Sequence, residues 1–596
     1  MIVKVVFNLA VEKEFAYLSN EGKLLGKRVW VELNKKKMVG IVVEEGIKKT
    51  NIKKLKLVEE VLDKNCSTLD KFQLDFAYLL KKNYPYSLGE LTFLMVPSFL
   101  RKRKKIEVIE GGRESTSSEN FEAIYIKAES FRERLEIYEE KIKKVGKTGS
   151  AIFCFPSLAH LEEYSKILRK TFNKEFVVIH AQQRRKEFLN QWLRIKKGNV
   201  FILSTKVGIF YFPLDLRLIV IEEENSPFYF HPEKPFYGLQ DIAFLLAKMK
   251  KIPLILSADF PSLKLFKMIK EKRVKLIEKK GTRKKKIKVI NIQSIISRRY
   301  SLKVNPLICE ILRKSAISQE RVSIFFPRKG FSLLLRCAEC GYLYYCPKSC
   351  SPLRFSQEEN KLVCPFCGYQ EIVTGRCKRC ASTYLVPLGV GGERISSYLK
   401  RVSPQIKDFF ASGKFVFTNY SILDTPLYKK DSFDKSLVLN SELLLSCLDF
   451  EAVFRLYLYL KRISFLTKEE VLVFTNLSSF YLWQVLEKSW RRFYNKELSL
   501  RKEVKLPPFI YLAKITLRAK NKDILYEKAE KIYNILNKNE KLQVFGPLKE
   551  YPFCKTNKFY YTIVVKSQDK ERLIRETEKI MLSFRKGTTK IAVSIR

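Results

Sequence analysis

The sequence predicts a multidomain α/β protein, and three observations support that fold class. The chain has 596 residues, which corresponds to about three to five domains rather than one. From Ala123 to Val274, short apolar runs alternate with helical segments, as in a parallel sheet that is covered on both faces. Four close pairs of cysteines lie between Cys337 and Cys380, and this spacing predicts a small metal-binding module.

The first segment, residues 1–105, is predicted to be a small β-rich domain that ends in a helix. Alternating apolar and polar residues predict strands in MIVKVVFNL, KRVWVEL and KMVGIVVEE, and an amphipathic helix in LDKFQLDFAYLLKK. The basic run from Arg101 to Lys105 and the following GGRESTSSEN are typical of exposed chain. We therefore expect a linker at 106–122.

Residues 123–275 are predicted to form one parallel sheet with its helices, from the strands SAIFCFP, EFVVIHA, NVFILST, LRLIVIEEE and IPLILSA. A basic linker from Lys279 to Lys288 and the strand RVSIFFPRKG follow. The cysteine segment, 336–384, divides a second α/β segment into 276–335 and 385–481. The strands IYLAKITLRA and FYYTIVVKS alternate with helices in 482–596, which predicts an α+β domain at the C-terminus.

The chain is strongly basic, with 113 lysines and arginines against 63 acidic residues and a formal net charge of +50. The excess is spread over the whole length. It has two explanations, a lysine bias from an AT-rich genome or a polyanionic partner such as nucleic acid. A membrane partner is not favoured, because we find no amphipathic basic helix and no apolar run of membrane-spanning length.

The paired cysteines predict two zinc sites. Zinc is bound tetrahedrally by four thiolates, and two tight turns can each supply two of them. Disulfides in a secreted domain are the alternative, but the opening MIVKVVFNLAVEKEF does not resemble a secretion signal. The remaining cysteines occur singly, as expected for buried thiols in a reducing cytoplasm: Cys66, Cys154, Cys309, Cys447 and Cys554.

Motifs along most of the chain resemble the PriA family of bacterial replication-restart helicases, in helicase superfamily 2. The most specific stretch is FFPRKGFSLLLRCAECGYLYYCPKSCSPLRF, followed by LVCPFCGY and CKRCASTYLVPLGVGGERI. FAYL at Phe15, YPYSLGEL at Tyr84, LPPF at Leu506 and FGP at Phe545 add to it. The resemblance implies a 3′-DNA-end-binding domain, two RecA-like helicase lobes with a double-zinc insertion, and a cytoplasmic bacterial protein.

The resemblance also implies how the cysteines pair. The first and fourth pairs would share one zinc ion, Cys337, Cys340, Cys377 and Cys380. The second and third pairs would share the other, Cys346, Cys350, Cys364 and Cys367. One departure affects the second site, because Ser349 stands where the family has its cysteine and Cys350 lies one residue further on.

The phosphate loop of a nucleoside triphosphatase is altered. Gly146-Lys147-Thr148 does not qualify, since Lys141 stands where the loop needs glycine and the tripeptide follows a helix. We interpret it as a helix C-terminal turn. The resemblance puts the true loop at residues 128–135, where AESFRERL has no glycine and Arg134-Leu135 replaces Lys-Thr.

Three further catalytic elements depart from the family pattern. Glu222 and Glu223, after the strand LRLIVI, are the remnant candidates for magnesium binding and water orientation. Asp259 replaces the threonine of a Ser-Ala-Thr motif, and Leu466 occupies the arginine-finger position. The joint changes predict a degenerate motor, so the sequence does not favour binding of ATP and Mg²⁺.

DNA is bound mainly through cationic and aromatic side chains. At positions that the resemblance associates with DNA, the sequence offers these candidates: Phe15, Tyr17, Lys206, Phe228, Tyr229, Phe236 and Tyr237. Ala16 replaces an aspartate that reads the terminal nucleotide in the family. The family's winged-helix domain is not found between the first two segments, which are joined by a short linker.

Three functions remain open at this point. The first is a PriA-like protein with a degenerate motor, a monomer that binds forked or single-stranded DNA and recruits replication-restart and helicase-loading proteins. The second is an active ATP-dependent 3′→5′ helicase with diverged motifs. The third is an architectural zinc protein that binds RNA or a protein complex.

Overall fold

The computed structural model describes most of the chain, and all structural statements concern these residues: 1–47, 55–65, 67–108, 120–279, 286–291, 306–326, 334–356, 359–388, 400, 403–426, 432–445, 449–475, 477–584 and 588–596. Cys66, Cys447, most of the predicted linker at 106–122 and most of the second basic linker lie outside them. Among the described residues, no helix combines the length and the apolar character that a membrane span requires.

The N-terminal domain is a six-stranded, mainly antiparallel sheet with a helical subdomain. Its strands lie in the order Lys56–Leu57, Phe15–Leu18, Ile2–Phe7, Lys36–Ile47, Arg28–Leu33 and Glu60–Val61. Arg28, the first residue of the strand Arg28–Leu33, forms a buried ion pair of 2.6 Å with Asp63. Further on lie the paired short strands Asp63–Asn65 and Ile106–Val108, the helices Lys71–Asn83 and Leu88–Thr92, and the 3₁₀ turn Ser98–Arg101.

The first lobe is a seven-stranded sheet in which every neighbouring pair is parallel. Its strands lie in the order Phe176–Ile179, Phe201–Ser204, Ser150–Cys154, Leu216–Glu222, Leu254–Ala258, Ala123–Lys127 and Lys275–Glu278. The covering helices are Phe131–Thr148, Leu158–Thr171, Arg185–Lys197, Leu239–Lys250 and Leu263–Lys270. The central strands are buried along their whole length, which explains their continuous apolar runs.

The second lobe is a five-stranded parallel sheet. Its strands lie in the order Lys286–Asn291, Thr467–Thr475, Phe433–Leu439, Val322–Phe325 and Phe415–Thr418. Its helices are Pro306–Ile317, Pro404–Ala411, Glu442–Leu445 and Ala452–Leu466. The helix Ala452–Leu466 forms an apolar cluster with two later helices, Tyr481–Leu486 and Trp490–Glu503. Phe260 and Phe266 of the first lobe belong to the same cluster.

A cysteine module, residues 334–388, interrupts the second lobe in the sequence. The strands Leu334–Cys337 and Leu385–Leu388 pair antiparallel at its base, and Arg354–Ser356, Lys361–Val363 and Gln370–Ile372 form a small sheet above. The C-terminal domain is a four-stranded antiparallel sheet in the order Gln543–Lys555, Lys558–Ser567, Tyr511–Ala519 and Lys590–Ile595, with the helices Lys522–Asn537 and Lys570–Ser583.

The predicted multidomain α/β fold is confirmed, with two parallel-sheet lobes, a cysteine module, a β-rich N-terminal domain and an α+β C-terminal domain. Gly146-Lys147-Thr148 lies in the last turn of the helix Phe131–Thr148, as predicted. The sequence reasoning missed the first-lobe strands Ala123–Lys127 and Lys275–Glu278. The exact domain limits stay a prediction.

Candidate functional site

Three loops meet at the carboxyl edge of the first-lobe sheet. Glu222 ends one strand and is in register with Ser257 of the next, while Ala258 is in register with Lys127 of the third. The residues that follow these strands therefore lie side by side, as expected at the carboxyl edge of a parallel sheet. Four carboxylates are buried here, those of Glu222, Glu223, Glu224 and Asp259.

Arg134 fills the place where a phosphate loop would be expected. Only residues 128–130 connect the strand Ala123–Lys127 to the helix Phe131–Thr148. Arg134, in the first turn of that helix, is fully buried. Its Nε lies 2.9 Å from Glu222 Oε2, its Nη2 lies 2.5 Å from Glu223 Oε1, and its Nη1 donates to the Ala128 carbonyl at 3.1 Å.

The same helix satisfies the second oxygen of Glu222. The hydroxyl of Tyr138, one turn after Arg134, donates to Glu222 Oε1. Both oxygens of Glu222 are thus occupied by side chains of one helix, and its exposure is zero. Burial opposes the charge of Arg134, but Glu223 and Glu222 more than offset that cost and hold its pKa well above the ordinary value.

Arg462 reaches the same carboxylates from the second lobe. It lies on the helix Ala452–Leu466, and its Nε is 2.7 Å from Asp259 Oδ2. Its Nη2 is 3.2 Å from Glu223 Oε2, and its Nη1 is 3.4 Å from Asp424 Oδ1. Arg462 thus bridges the two lobes through charges that water scarcely reaches, since its side chain is 6% exposed.

We call Arg134, Arg462, Glu222, Glu223 and Asp259 the arginine network. Burial works to raise the pKa of Asp259, but the adjacent Arg462 outweighs it and the pKa is lowered. The pKa of Glu223 is raised, because its burial exceeds the attraction of Arg134 and Arg462. The two arginines therefore supply the positive charge that this cluster requires.

Sequence reasoning identified Arg134 only as a replacement and missed Arg462, Tyr138 and Asp424. It placed Leu466 at the arginine-finger position, and the structure shows Leu466 as a buried residue at the end of the helix, one turn beyond Arg462. The run of acidic residues after a buried strand signals that cations must lie nearby. It does not say which arginines supply them.

The aromatic segment after the acidic cluster is partly buried. Phe228 is 48% exposed, and the partly buried Phe236 stacks on Phe230 with ring centroids 6.2 Å apart. Tyr229 is fully buried, and its hydroxyl donates to the carbonyls of Cys154 and Glu222. In this structure the Tyr229 ring is therefore not presented to a DNA base.

The other DNA-binding candidates are placed as follows. Tyr237 is buried and stacks on His231. Lys206 Nζ donates to the carbonyls of Phe228 and Phe230 at 3.2 Å. In the N-terminal domain, Phe15 is partly buried against Phe7, and Tyr17 is buried with its hydroxyl on the Glu32 carbonyl.

The cysteines form two clusters in the cysteine module. In the first, the Sγ atoms of Cys337, Cys340, Cys377 and Cys380 all lie within 4.8 Å of one another. Neighbouring sulfurs are 3.5 and 3.6 Å apart, close to the roughly 3.8 Å that tetrahedral Zn–S bonds impose. These four residues fit a structural zinc ion, which would cross-link the two ends of the module.

The second cluster contains Cys346, Cys364 and Cys367. The structure does not bring Cys350 to it; the Cys350 side chain is exposed. Ser349 is buried instead, with its Oγ 3.1 Å from Cys364 Sγ. The first and fourth cysteine pairs thus form one cluster, and the second and third pairs form the other. Cys350 is the member of the second pair that lies outside its cluster.

Comparison with known proteins agrees with this architecture. The family of the PriA 3′DNA-binding domain (3′BD) matches residues 4–97. The replication restart protein PriA of Bacillus subtilis is 23% identical over 80% of this chain and 63% of its own length. That of Haemophilus influenzae is 26% identical over 71% and 62%, and that of Buchnera aphidicola is 22% identical over 96% of both chains.

The chain thus combines a segment similar to the PriA 3′DNA-binding domain with two parallel-sheet lobes and paired cysteine clusters. The chain resembles the replication restart proteins PriA, which match it over most of its length. The chain spans just under two thirds of the length of the first two relatives that it matches.

Arg462→Ala is predicted to destabilise the protein strongly. Removing one partner of a buried ion pair leaves uncompensated charge and costs roughly 3–5 kcal/mol. The matched control is Arg455→Ala on the same helix, whose ion pair with Asp449 is partly exposed and should contribute less than about 1 kcal/mol. Urea unfolding midpoints compare the two variants. Equal midpoints would show that Arg462 is not held as described.

Glu224→Gln is predicted to stabilise the protein at neutral and higher pH. Burial raises the pKa of Glu224 from 4.5 to about 7. As pH rises, the unfolded state ionises first, so this carboxyl favours unfolding above pH 4.5 and reaches its full effect above pH 7. The gain of the variant should approach about 3 kcal/mol at pH 8 and vanish near pH 4.5.

Thermal unfolding of wild type and Glu224→Gln between pH 4.5 and pH 8 measures the difference in their stability. Glu140→Gln, at an exposed position of the helix Phe131–Thr148, controls for the loss of one negative charge. A stability gap for Glu224→Gln that is the same at pH 4.5 and pH 8 would contradict the assignment.

Proposed function

We propose that this chain is a PriA-like DNA-binding protein that acts in replication restart at forked or single-stranded DNA, without ATP-driven unwinding. The arginine network carries the proposal. It fills the carboxyl edge of the first lobe with protein side chains, at the place where a helicase would hold nucleotide and metal. The chain would thus keep the fold and the DNA-binding surfaces of a restart helicase, while protein side chains fill its nucleotide-binding site.

The geometry argues against a nucleotide in three ways. The connection at residues 128–130 is far shorter than the G-x-x-x-x-G-K-[ST] loop that cradles phosphates. Leu135 offers no hydroxyl for Mg²⁺. Glu222, the remnant candidate for metal binding, has both oxygens engaged by Arg134 and Tyr138.

The free-energy cost of freeing these carboxylates also argues against metal binding at this site. A metal ion could reach Glu222 only after its buried pair with Arg134 was broken, at a cost of roughly 3–5 kcal/mol. That cost lowers the affinity for the metal ion by a factor of about 10²–10⁴. Arg462 adds a second obstacle, since Glu223 and Asp259 would also have to leave their partner.

DNA binding is supported by the match of residues 4–97 to the PriA 3′DNA-binding domain and by the net charge of +50. Among the aromatic candidates, Phe228 is the most exposed in the segment beside the arginine network. Lys206 lies within 3.2 Å of its carbonyl and adds a cation to the same surface. By resemblance, we propose that the cysteine module docks replication-restart and helicase-loading proteins.

Purified, zinc-loaded protein is predicted to hydrolyse no ATP above background, with or without fork DNA, because the arginine network excludes nucleotide and Mg²⁺. Phosphate release measured beside binding of the same fork tests this. Glu223→Gln, which keeps the side-chain shape, should leave the background unchanged. DNA-stimulated hydrolysis that Glu223→Gln abolishes would overturn the proposal in favour of an active helicase.

Phe228→Ala is predicted to weaken binding of single-stranded DNA, since one base stacked on an aromatic ring contributes about 1–3 kcal/mol. The dissociation constant at fixed salt should rise by roughly 5- to 150-fold. Tyr526→Ala removes another exposed ring, on the helix Lys522–Asn537, and should have no effect. Equal affinities for wild type and Phe228→Ala would remove Phe228 from the interface.

Structured RNA in competition with fork DNA at the same salt tests the third function. Preference for the fork is expected, because residues 4–97 match a DNA-binding domain. Stronger competition by RNA would overturn the assignment of DNA as the partner.

A further inference from the structure

Four tight turns of the cysteine module share one main-chain pattern. In each, the N–H of the first cysteine donates to the carbonyl five residues later. The bonds are Cys337 to Tyr342, Cys346 to Ser351, Cys364 to Tyr369 and Cys377 to Ser382, at 2.7–2.9 Å. The four turns can therefore be compared position by position.

The fifth residue of each turn fixes the comparison. The N–H groups of Gly341, Gly368 and Ala381 each donate to the carbonyl of their turn's first cysteine and have left-handed φ angles of 72°, 73° and 56°. In the second turn, Cys350 does both, donating to the Cys346 carbonyl at 3.0 Å with φ 54°. Cys350 thus occupies the position that follows the second ligand.

Ser349 consequently occupies the second ligand position, which Cys340, Cys367 and Cys380 hold in the other turns. The Ser349 side chain is fully buried, and its Oγ lies 3.1 Å from Cys364 Sγ. The N–H of Ser349 donates to Cys346 Sγ at 3.3 Å. The serine hydroxyl is therefore directed into the cluster, whereas the Cys350 side chain is exposed.

We propose that the second zinc site is held by Cys346, Cys364 and Cys367 with the Ser349 hydroxyl as the fourth ligand, and that Cys350 is not a ligand. Ser351 supports this role, because its Oγ lies 2.6 Å from Ser349 Oγ and can accept a hydrogen bond from the Ser349 hydroxyl. The three sulfurs lie within 4.8 Å of one another, which suits a tetrahedral ion.

Replacing a thiolate with a neutral hydroxyl makes the second site weaker than the first. It removes one negative charge and one soft ligand from the shell around zinc. The turn is nevertheless fixed from outside, because Phe553 of the C-terminal domain donates its N–H to the Ser349 carbonyl at 2.9 Å. The ring of Tyr551, also in the C-terminal domain, packs against Phe366 in the turn that begins at Cys364, with ring centroids 6.0 Å apart.

Zinc content and zinc release to a chelator test the proposal on the full chain. Wild type should bind two zinc ions and release them in two phases, the faster from the second site. Cys350→Ser should keep both ions and both rates. Ser349→Cys should slow the fast phase at least tenfold, and Ser349→Ala should accelerate it severalfold. Cys364→Ser, which removes a second-site thiolate, is the control for loss of one ion.

Cobalt substitution and alkylation give independent readouts. With Co²⁺ in both sites, the thiolate charge-transfer band should be unchanged by Cys350→Ser and should grow by one thiolate in Ser349→Cys. Iodoacetamide should label Cys350 in the zinc-loaded protein without release of metal.

Loss of one zinc ion or of charge-transfer intensity in Cys350→Ser would overturn the proposal. So would an unchanged fast phase in both Ser349 variants. These readouts are independent of ATP hydrolysis and DNA binding, so their failure and the failure of the proposed function are distinguishable.

Discussion

The burial of several carboxylates at one edge of the first-lobe sheet is the constraint on which the rest of the two-lobe region depends. Ionised groups with no exposure require opposite charge within contact distance. Arg134 and Arg462 provide it, each bonded to two or more acidic side chains. Glu222, Glu223 and Asp259 share these two guanidinium groups, which offset part of the cost of burying the three carboxyl groups together.

This constraint also determines how the lobes contact each other. Arg462 belongs to the second lobe and its main partner, Asp259, to the first. The apolar contacts around it agree, since Phe260 stacks on Phe465 with centroids 6.0 Å apart and the Tyr494 hydroxyl donates to the Pro261 carbonyl. Under the proposed function, a fixed guanidinium takes the place of a nucleotide that binds and leaves. Under that function, the contact between the lobes would not depend on nucleotide binding or hydrolysis.

The cysteine module follows from a different constraint, the geometry of a tight turn. Each turn places its ligands by main-chain hydrogen bonds that do not depend on which side chain fills each position. A cysteine displaced by one residue therefore enters the left-handed position outside the cluster, as Cys350 does. The side chain of Ser349, the preceding residue, lies inside the cluster instead, so its hydroxyl is the group that can complete the zinc site.

The sequence alone was sufficient for the central strands of the first-lobe sheet and for the cysteine pairs. Buried central strands require continuous apolar runs, and zinc turns require close pairs of cysteines, so both are visible over a few consecutive residues. Glu222 and Glu223 could be located in the same way, from their position after the strand Leu216–Glu222.

Only the tertiary structure decided the partners of these groups. Arg462 lies far along the chain from Asp259, and no local pattern distinguishes it from Arg455 on the same helix. The tertiary structure likewise buried Tyr229 and Tyr237 while leaving Phe228 exposed, although all three belong to one aromatic segment. Long-range packing determines which side of a segment meets the core, and it placed Ser349 rather than Cys350 against Cys364.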